Sequence, residues 1–210
     1  AVTARRVVIA SFAIQFMTIG GMFAYGVFFP ELEKEFGWSR TLLSGVSSTS
    51  ILVMGMLATF GGQISDRYGP RWVLTATGLI YGIGYSLMSM MQAPWQLILL
   101  FGVLGGLGLS THDVVTLSTV ARWFPQRRGQ MTGIVKVGTA AGQICMPLAA
   151  TALIASLGWR PACLVIGVGA GLVLVLAAQA MRAGPSANKP SNPDDGNPVN
   201  NAPSPPPEGL

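Results

Sequence analysis

Charged side chains are scarce in this sequence, and their scarcity excludes an ordinary soluble globule. Asp, Glu, Lys and Arg make up 10% of the 210 residues, apolar types make up 50%, and the mean hydropathy is +0.52. Soluble domains carry about 25% charged residues. The net charge of +5 does not indicate nucleic-acid binding, because the basic residues lie in the gaps between apolar stretches. This distribution predicts a membrane protein.

Cysteine and histidine are also rare, which excludes several kinds of site. Two cysteines exclude a disulfide scaffold, and we predict that Cys145 and Cys163, both in apolar runs, are buried free thiols. The single histidine, His112, excludes a His-rich metal centre and the paired ligands of a membrane haem protein. It also lies two residues from Ser110 on one helix, so their side chains point apart and no serine-protease pair forms. We expect no enzymatic activity, no cofactor and no metal.

Six apolar stretches are each long enough to cross a bilayer as a helix, which takes about 20 residues. They lack the alternation of barrel strands, and backbone groups in hydrocarbon must bond internally, so all six are predicted to be helical. The first has no small-x-small cleavage site after it and is predicted to be an uncleaved helix rather than a signal peptide. The fold class is therefore an all-α integral membrane bundle. The predicted spans are 7–29, 41–63, 72–91, 95–121, 129–156 and 161–181.

The loops and the C-terminal segment predict topology and domain organisation. With a cytoplasmic N-terminus, nine of the 13 Lys and Arg residues fall on the cytoplasmic side and three on the other. Short cytoplasmic loops carry such an excess, so both termini are predicted to be cytoplasmic, in the plasma (inner) membrane. Residues 1–182 form the predicted bundle. Residues 183–210 contain eight prolines and little apolar surface, and are predicted to be a disordered Pro/Asn-rich tail acting as a spacer or a docking motif.

Three ionisable side chains lie inside predicted spans. His112 and Asp113 are in the fourth, and Lys136 is in the fifth. Asp113 is nine residues from Arg122 and Lys136 is eight from Arg128, or about 12–13 Å along each helix. Because the two helices are consecutive and antiparallel, the groups lie at similar depth. We predict an ion pair, direct or water-bridged, facing the bundle interior.

This pair has three interpretations. It is structural glue between two helices, or a substrate and proton site near the midplane, or a lipid-facing pair relieved by snorkelling. The fifth helix carries Lys136, Thr139 and Gln143 at helical spacing, so these residues share one face. Thr116 is assigned to the face of His112 and Asp113, and the polar residues of the first helix are weaker candidates: Gln15, Thr18 and Tyr25. The predicted site comprises Lys136, Asp113, His112, Gln143 and Thr139.

Glycines at a spacing of four recur in the fifth span. Gly129 and Gly133 form one such pair, and Gly138 and Gly142 form another. Small residues at this spacing let helix backbones approach closely. Both pairs are therefore predicted to pack against neighbouring helices.

The segment between the second and third spans has a recognisable pattern. It reads Gly62-Gln-Ile-Ser-Asp66-Arg67-Tyr-Gly69-Pro70-Arg71 and resembles the cytoplasmic loop signature of the major facilitator superfamily. Further segments resemble the monocarboxylate porters and oxalate/formate antiporters of that superfamily. These are Tyr25-Gly-Val-Phe-Phe-Pro-Glu-Leu, Phe36-Gly-Trp-Ser-Arg40, Arg122-Trp-Phe-Pro-Gln-Arg-Arg-Gly129 and Gly158-Trp-Arg160.

The resemblance covers about residues 5–182 and implies the N-terminal six-helix half of a twelve-helix carrier, built from two three-helix repeats. It implies alternating-access transport of small organic anions. One feature departs from the animal-type porters, which carry a lysine in the first helix just before the Tyr-Gly-Val-Phe-Phe-like stretch. Here the segment from Gly20 to Ala24 has no charge, so anion binding through that lysine is not expected.

Physical chemistry assigns roles to several residues of this loop. Gly62 is expected to allow a close helix approach, and Gly69 with Pro70 to form a tight turn. Asp66 is expected to accept hydrogen bonds from the start of the third helix, where the dipole favours negative charge. The loop acts either as a conformational latch, as the resemblance implies, or as a capped turn with topology-determining charges. The latch residues are Gly62, Asp66, Arg67, Gly69 and Arg71.

Two functions remain open from the sequence. The first is half of a transporter that rocks against a second six-helix bundle, which is another copy of the chain or a separate C-terminal half. The second is a non-transporting subunit of a larger membrane complex. A truncated product without function is a third possibility. The predicted partners are the lipid bilayer, that bundle or complex, and a small organic anion.

Overall fold

The computed structural model describes residues 2–182, and the predicted tail at 183–210 lies outside them. Within residues 2–182 the chain is all-helical, with no strand. Six helices are long and apolar enough to cross a membrane, and they match the six predicted spans to within a few residues at most ends. They are α1 (Thr3–Phe36), α2 (Arg40–Tyr68), α3 (Pro70–Met90), α4 (Pro94–Trp123), α5 (Arg128–Leu157) and α6 (Trp159–Ala180).

The first helix is longer than predicted, because it continues seven residues beyond the apolar stretch to Phe36. A 3₁₀ turn at Tyr25–Phe28 tightens the chain just before Pro30. Pro30 then falls in the first turn of the segment Phe29–Phe36, where a backbone N–H is not needed. Gly37, with φ of 68°, ends the helix in the left-handed conformation that glycine adopts without strain.

The turns after α2 and α5 have the same backbone conformation. Gly69 ends α2 with φ of 86° and ψ of 150°, and Gly158 ends α5 with φ of 86° and ψ of 166°. Each glycine is followed at once by the next helix, so α2 and α5 are joined to α3 and α6 in the same way. The predicted turn at Gly69 and Pro70 is confirmed.

Helix pairing reveals two three-helix repeats. The closest pairs are α1 with α5, α2 with α4, and α3 with α6. Replacing each helix by the one three places away exchanges the first two pairs and leaves the third unchanged. Residues 2–182 therefore form one bundle in which helices α1–α3 and α4–α6 have equivalent packing roles.

Glycine allows the closest of these contacts, between α1 and α5. A Cβ atom on Gly138 would lie 2.7 Å from the carbonyl oxygen of Phe12, and one on Gly142 would collide with the carbonyl of Phe16. The four residues repeat at a spacing of four on both helices. The prediction of close packing at Gly138 and Gly142 is confirmed.

Two other expectations about α5 are wrong. Gly129 and Gly133 are exposed and have no side-chain or backbone neighbour within 4 Å of a Cβ position. Cys145 is exposed as well, whereas Cys163 is buried as predicted. The reason is that α5 presents only one narrow face to the bundle. In the most apolar windows of α2 and α5, 17% of the residues are buried, against 50% or 56% in the other four helices.

A substitution at Gly142 tests the contact between α1 and α5. We expect Gly142→Ala to lower the free energy of unfolding by about 1–3 kcal/mol, because the added methyl group meets a backbone carbonyl that cannot rotate away. Gly133→Ala makes the same change in the same helix, at an open position, and is expected to be neutral or to stabilise by up to about 1 kcal/mol. Thermal unfolding of the chain in detergent measures both. Equal stability of the two variants would contradict the close approach.

Candidate functional site

An ion pair joins α4 to α5 part-way through the bundle. Lys136 Nζ lies 2.5 Å from Asp113 Oδ1, which confirms the predicted direct pair. Its position differs from the prediction in one respect. The two side chains are 43% and 51% exposed, so the pair lies on the surface of the six-helix bundle and not in its interior. The sequence placed the groups at the correct depth and could not specify the direction in which they face.

A buried amide on α1 connects this pair to its surroundings. Gln15 is fully buried, and its Nε2 donates to Asp113 Oδ1 at 2.8 Å and to Thr116 Oγ1 at 2.9 Å. Its Oε1 accepts from Thr139 Oγ1 at 3.0 Å. We call this set the polar cluster: Gln15, Asp113, Thr116, Lys136 and Thr139. Both N–H groups and the oxygen of the Gln15 amide are therefore hydrogen-bonded.

Helical spacing explains how the polar cluster assembles. Asp113 and Thr116 are three residues apart on α4, and Lys136 and Thr139 are three apart on α5, so each pair shares a helix face. The Thr116 hydroxyl donates to the carbonyl of His112 on its own helix at 2.5 Å. Its oxygen is thereby left to accept from the Gln15 amide. The Gln15 amide and the Thr116 hydroxyl thus each have a defined donor and acceptor role.

The fourth helix is irregular in the residues that precede Asp113. It contains a π-helical stretch at Ile98–Gly105, and the α-helix is interrupted at Thr111, directly before His112 and Asp113. A π-helical stretch rotates the residues that follow it relative to a regular helix, and such stretches recur at functional sites. The irregularity therefore helps to set the direction in which Asp113 points.

His112 does not belong to the polar cluster, contrary to the prediction. Its side chain is 2% exposed, and neither ring nitrogen has a hydrogen-bond partner among residues 2–182. It lies one turn after Gly108, which packs against Tyr81 of α3. Consecutive helical residues point about 100° apart, so His112 faces the bundle core while Asp113 faces outward. The expectation that the two residues share a face is wrong.

Gln143 lies one turn beyond Thr139 on the face of α5 that carries Lys136. It is half-buried and makes no side-chain hydrogen bond with another residue in the described part of the chain. The sequence placed it correctly on this helical face, and it stays a predicted site residue. Gln15, in contrast, is only a weak candidate from the sequence. The signal that pointed to it was an amide in an otherwise apolar run.

The pair has spare hydrogen-bonding capacity on its exposed side. Both contacts to the Asp113 carboxylate from Gln15 and Lys136 end on Oδ1, which leaves Oδ2 for another donor. An ammonium group has three N–H donors, of which Lys136 uses one for Asp113. The exposed face therefore offers both a cation with unused donors and a carboxylate oxygen.

The loop after α2 is held by contacts that differ from those predicted. Asp66 accepts from Arg122 Nη2 of α4 at 2.5 Å, and not from the start of α3. The closer approach to α4 is at Gly61 and not at Gly62. A Cβ atom on Gly61 would lie 2.9 Å from Thr111 Cγ2, and one on Gly62 would lie 3.4 Å from Val114 Cγ1. Both corrections have one cause: the end of α2 packs against α4, so its polar and small residues face that helix.

The two arginines of the loop have separate contacts. Arg71 Nε donates to Gln179 Oε1 of α6 at 2.6 Å, and the Arg67 guanidinium lies 5.6 Å from the ring centre of Tyr68. The loop therefore fastens α2 to α4 and α3 to α6 within the same bundle. Its role as a latch towards a second bundle stays a prediction.

The opposite end of the bundle is fastened by Arg160. Its Nη2 donates to Glu35 Oε1 at 2.7 Å, and its Nη1 donates to the carbonyls of Ser89 and Met91 at 2.8 and 3.3 Å. Trp159 Nε1 donates to the other Glu35 oxygen at 2.5 Å. The segment Gly158-Trp-Arg160 thus joins the ends of α1, α3 and α6.

Comparison with known proteins places this architecture in a family. The family model described as Major Facilitator Superfamily matches residues 11–206. Monocarboxylate transporter 14 of Homo sapiens is 30% identical over 188 residues, which cover 90% of this chain and 37% of the relative. MFS-type transporter 1 of Ophiocordyceps sp. (strain BCC 1869) is 27% identical over 172 residues, which cover 81% of this chain and 38% of the relative.

A solved structure has the same fold. The inward open conformation of the xylose transporter XylE from E. coli superposes with a TM-score of 0.70 at 13% sequence identity, over 85% of this chain and 48% of that one. This chain spans just over a third of the length of the two relatives and about half of the solved transporter. Both relatives are named as transporters and not as enzymes, in agreement with the expectation from the sequence. This multi-pass membrane protein belongs to the Major Facilitator Superfamily.

Proposed function

We propose that the chain forms the N-terminal half of a transporter for small organic anions, in which the polar cluster lines the substrate path. The observation that carries this proposal is the exposure of the Asp113–Lys136 pair on helices that are otherwise apolar. A charge at mid-membrane costs roughly 2.5–3.5 kcal/mol on insertion scales, so such groups face protein or a water-filled cavity. An exposed pair at this depth therefore requires a cavity beside it.

A second six-helix bundle would complete that cavity. The pair joins α4 to α5, and α5 and α2 are the least buried helices of the described chain. The relatives extend well beyond the matched region, which leaves room for such a bundle in the same fold. Transport then proceeds by alternating access, with the two bundles rocking around a site near the midplane.

Substrate recognition rests on the unused donors of Lys136. A carboxylate that enters the cavity can accept hydrogen bonds from the ammonium while Asp113 keeps its contact with Gln15. Charge-assisted hydrogen bonds of this kind are stronger than neutral ones. Thr139 and Gln143, on the same face of α5, supply neutral polar contacts. The similarity to a monocarboxylate transporter supports this class of substrate.

Proton coupling is assigned to Asp113. Protonation of the carboxylate would weaken its hold on Lys136 and leave the ammonium to the substrate, so proton and anion would bind together. His112 is not used, because its ring is buried away from the cavity. A single proton carried with a single anion makes the transport cycle electrically neutral.

The membrane orientation follows from the distribution of arginines. Six spans place the two ends of the described chain on the same side of the membrane. Arg5, Arg6, Arg127 and Arg128 lie at that end, and cytoplasmic loops carry such an excess. Both termini are therefore assigned to the cytoplasm, in the plasma (inner) membrane.

Replacement of Lys136 tests the substrate role. We expect Lys136→Met to reduce uptake of a radiolabelled monocarboxylate into membrane vesicles by at least about tenfold, because the anion loses its positive partner. Lys34→Met removes a lysine in the last turn of α1, away from the polar cluster, and is expected to leave uptake unchanged. Uptake by Lys136→Met equal to that of the unchanged protein would disprove the proposal.

A double variant distinguishes a transport role of the Asp113–Lys136 pair from a purely structural one. Asp113→Asn combined with Lys136→Met removes both charges and leaves no unpaired ion, so a purely structural pair would be replaced without loss. We expect this variant to fold, with unchanged elution in mild detergent, and to stay inactive in uptake. Recovery of uptake to the level of the unchanged protein would assign the pair to helix packing alone.

A change at Asp113 alone tests proton coupling. Asp113→Asn mimics the protonated carboxyl, so we expect uptake to lose its stimulation by an inwardly directed proton gradient while substrate exchange at equal pH persists. Vesicles with and without an imposed pH difference provide the measurement. Full gradient stimulation in Asp113→Asn would assign proton coupling elsewhere.

The native mass tests the second bundle. In mild detergent we expect the chain to elute with a further six-helix bundle, because its polar face is unfavourable in lipid. Mass spectrometry of the complex identifies the companion. A monomer of 22.0 kDa that is active in uptake would contradict the two-bundle arrangement. Stoichiometric recovery with an unrelated membrane complex would favour the accessory-subunit function instead.

A further inference from the structure

A small cavity lies at the end of the bundle where α1 begins and α6 ends. Its volume is about 300 Å³, and it is separate from the polar cluster. The lining combines basic, neutral polar and apolar side chains. They are Thr3, Arg6, Leu176, Gln179, Ala180 and Arg182.

The positive charge at this cavity is not neutralised within the described chain. Arg6 and Arg182 take part in none of the ion pairs formed by residues 2–182. A third guanidinium, that of Arg71, contacts one of the lining residues, because its Nε donates to Gln179 Oε1 at 2.6 Å. Guanidinium groups present a planar fork of donors that matches the oxygens of a phosphate.

The other wall of the cavity continues into the apolar surface of the bundle. Leu176 is 69% exposed, and Leu172, one turn earlier on α6, is 61% exposed. Both lie on a membrane-spanning helix, so this surface faces hydrocarbon. A ligand here meets cations at one end and an apolar strip at the other. A phospholipid has this distribution of charge and apolar chain, whereas a soluble phosphate matches only the first half.

We propose that this cavity binds the headgroup of an anionic phospholipid. The lipid phosphate lies between Arg6 and Arg182, and an acyl chain follows Leu176 and Leu172 along α6. The bound lipid fastens the first helix to the last, at the bundle end where both begin or finish. This site does not depend on the proposed transport function.

Lipid binding to the full chain tests the proposal. Native mass spectrometry in mild detergent compares phosphatidylglycerol with phosphatidylcholine of the same acyl chains. We expect one phosphatidylglycerol to be retained in preference to phosphatidylcholine. Each basic side chain that contacts an anionic headgroup contributes about a factor of five to its binding, so R6Q/R182Q is expected to lose about twenty-five-fold in affinity.

A matched control removes the same charge elsewhere at this end of the bundle. R127Q/R128Q changes two arginines that do not line the cavity, and it is expected to retain phosphatidylglycerol as the unchanged protein does. Equal retention by R6Q/R182Q would overturn the proposal. So would an equal loss in R127Q/R128Q, which would indicate a general effect of net charge.

Two measurements on the unchanged protein keep the test independent of variant folding. Equal retention of phosphatidylglycerol and phosphatidylcholine would overturn the proposal. Glycerol 3-phosphate at millimolar concentration distinguishes the two sources of phosphate. Its failure to displace the lipid supports the assignment, and displacement would assign the cavity to a soluble phosphate ester instead.

Discussion

The amide of Gln15 fixes the polar part of this bundle. It is fully buried on α1, donates to Asp113 and Thr116 on α4, and accepts from Thr139 on α5. In a low-dielectric interior an unsatisfied amide costs several kcal/mol, so its partners must stay in place. The neutral amide of Gln15 thus positions the carboxylate of the Asp113–Lys136 pair. The charges themselves stay accessible.

Glycine provides the complementary apolar constraint. Where α1 meets α5, backbone lies against backbone at Gly138 and Gly142, and no side chain is available to adjust the distance. Between helices in lipid, association depends on such packing and on interhelical hydrogen bonds, because apolar surface has little to gain from leaving one apolar medium for another. The same helix α5 therefore carries a close-packed face towards α1 and an exposed face with Lys136.

The sequence predicted the spans and the depth of the charged pair, because both follow from distances along helices. It failed where direction around a helix decides. His112 and Asp113 are adjacent in the chain, so they could not share a face, and the irregular course of α4 at Ile98–Gly105 was not visible in the residue pattern. Asp66 bonding to Arg122 also lay beyond local reasoning, because it depends on which helix packs beside the end of α2.

Ion pairs join different helices of the bundle. Asp66–Arg122 joins helix ends on one side of the membrane, and Glu35–Arg160 joins them on the other. Both link helices of the same bundle, so they favour motion of the six helices as one body. The Asp113–Lys136 pair lies between these ends, and both of its side chains are about half exposed on the bundle surface. A ligand can change the balance between two rigid arrangements only through groups whose contacts differ between them. In the transport cycle proposed above, this role belongs to Asp113–Lys136.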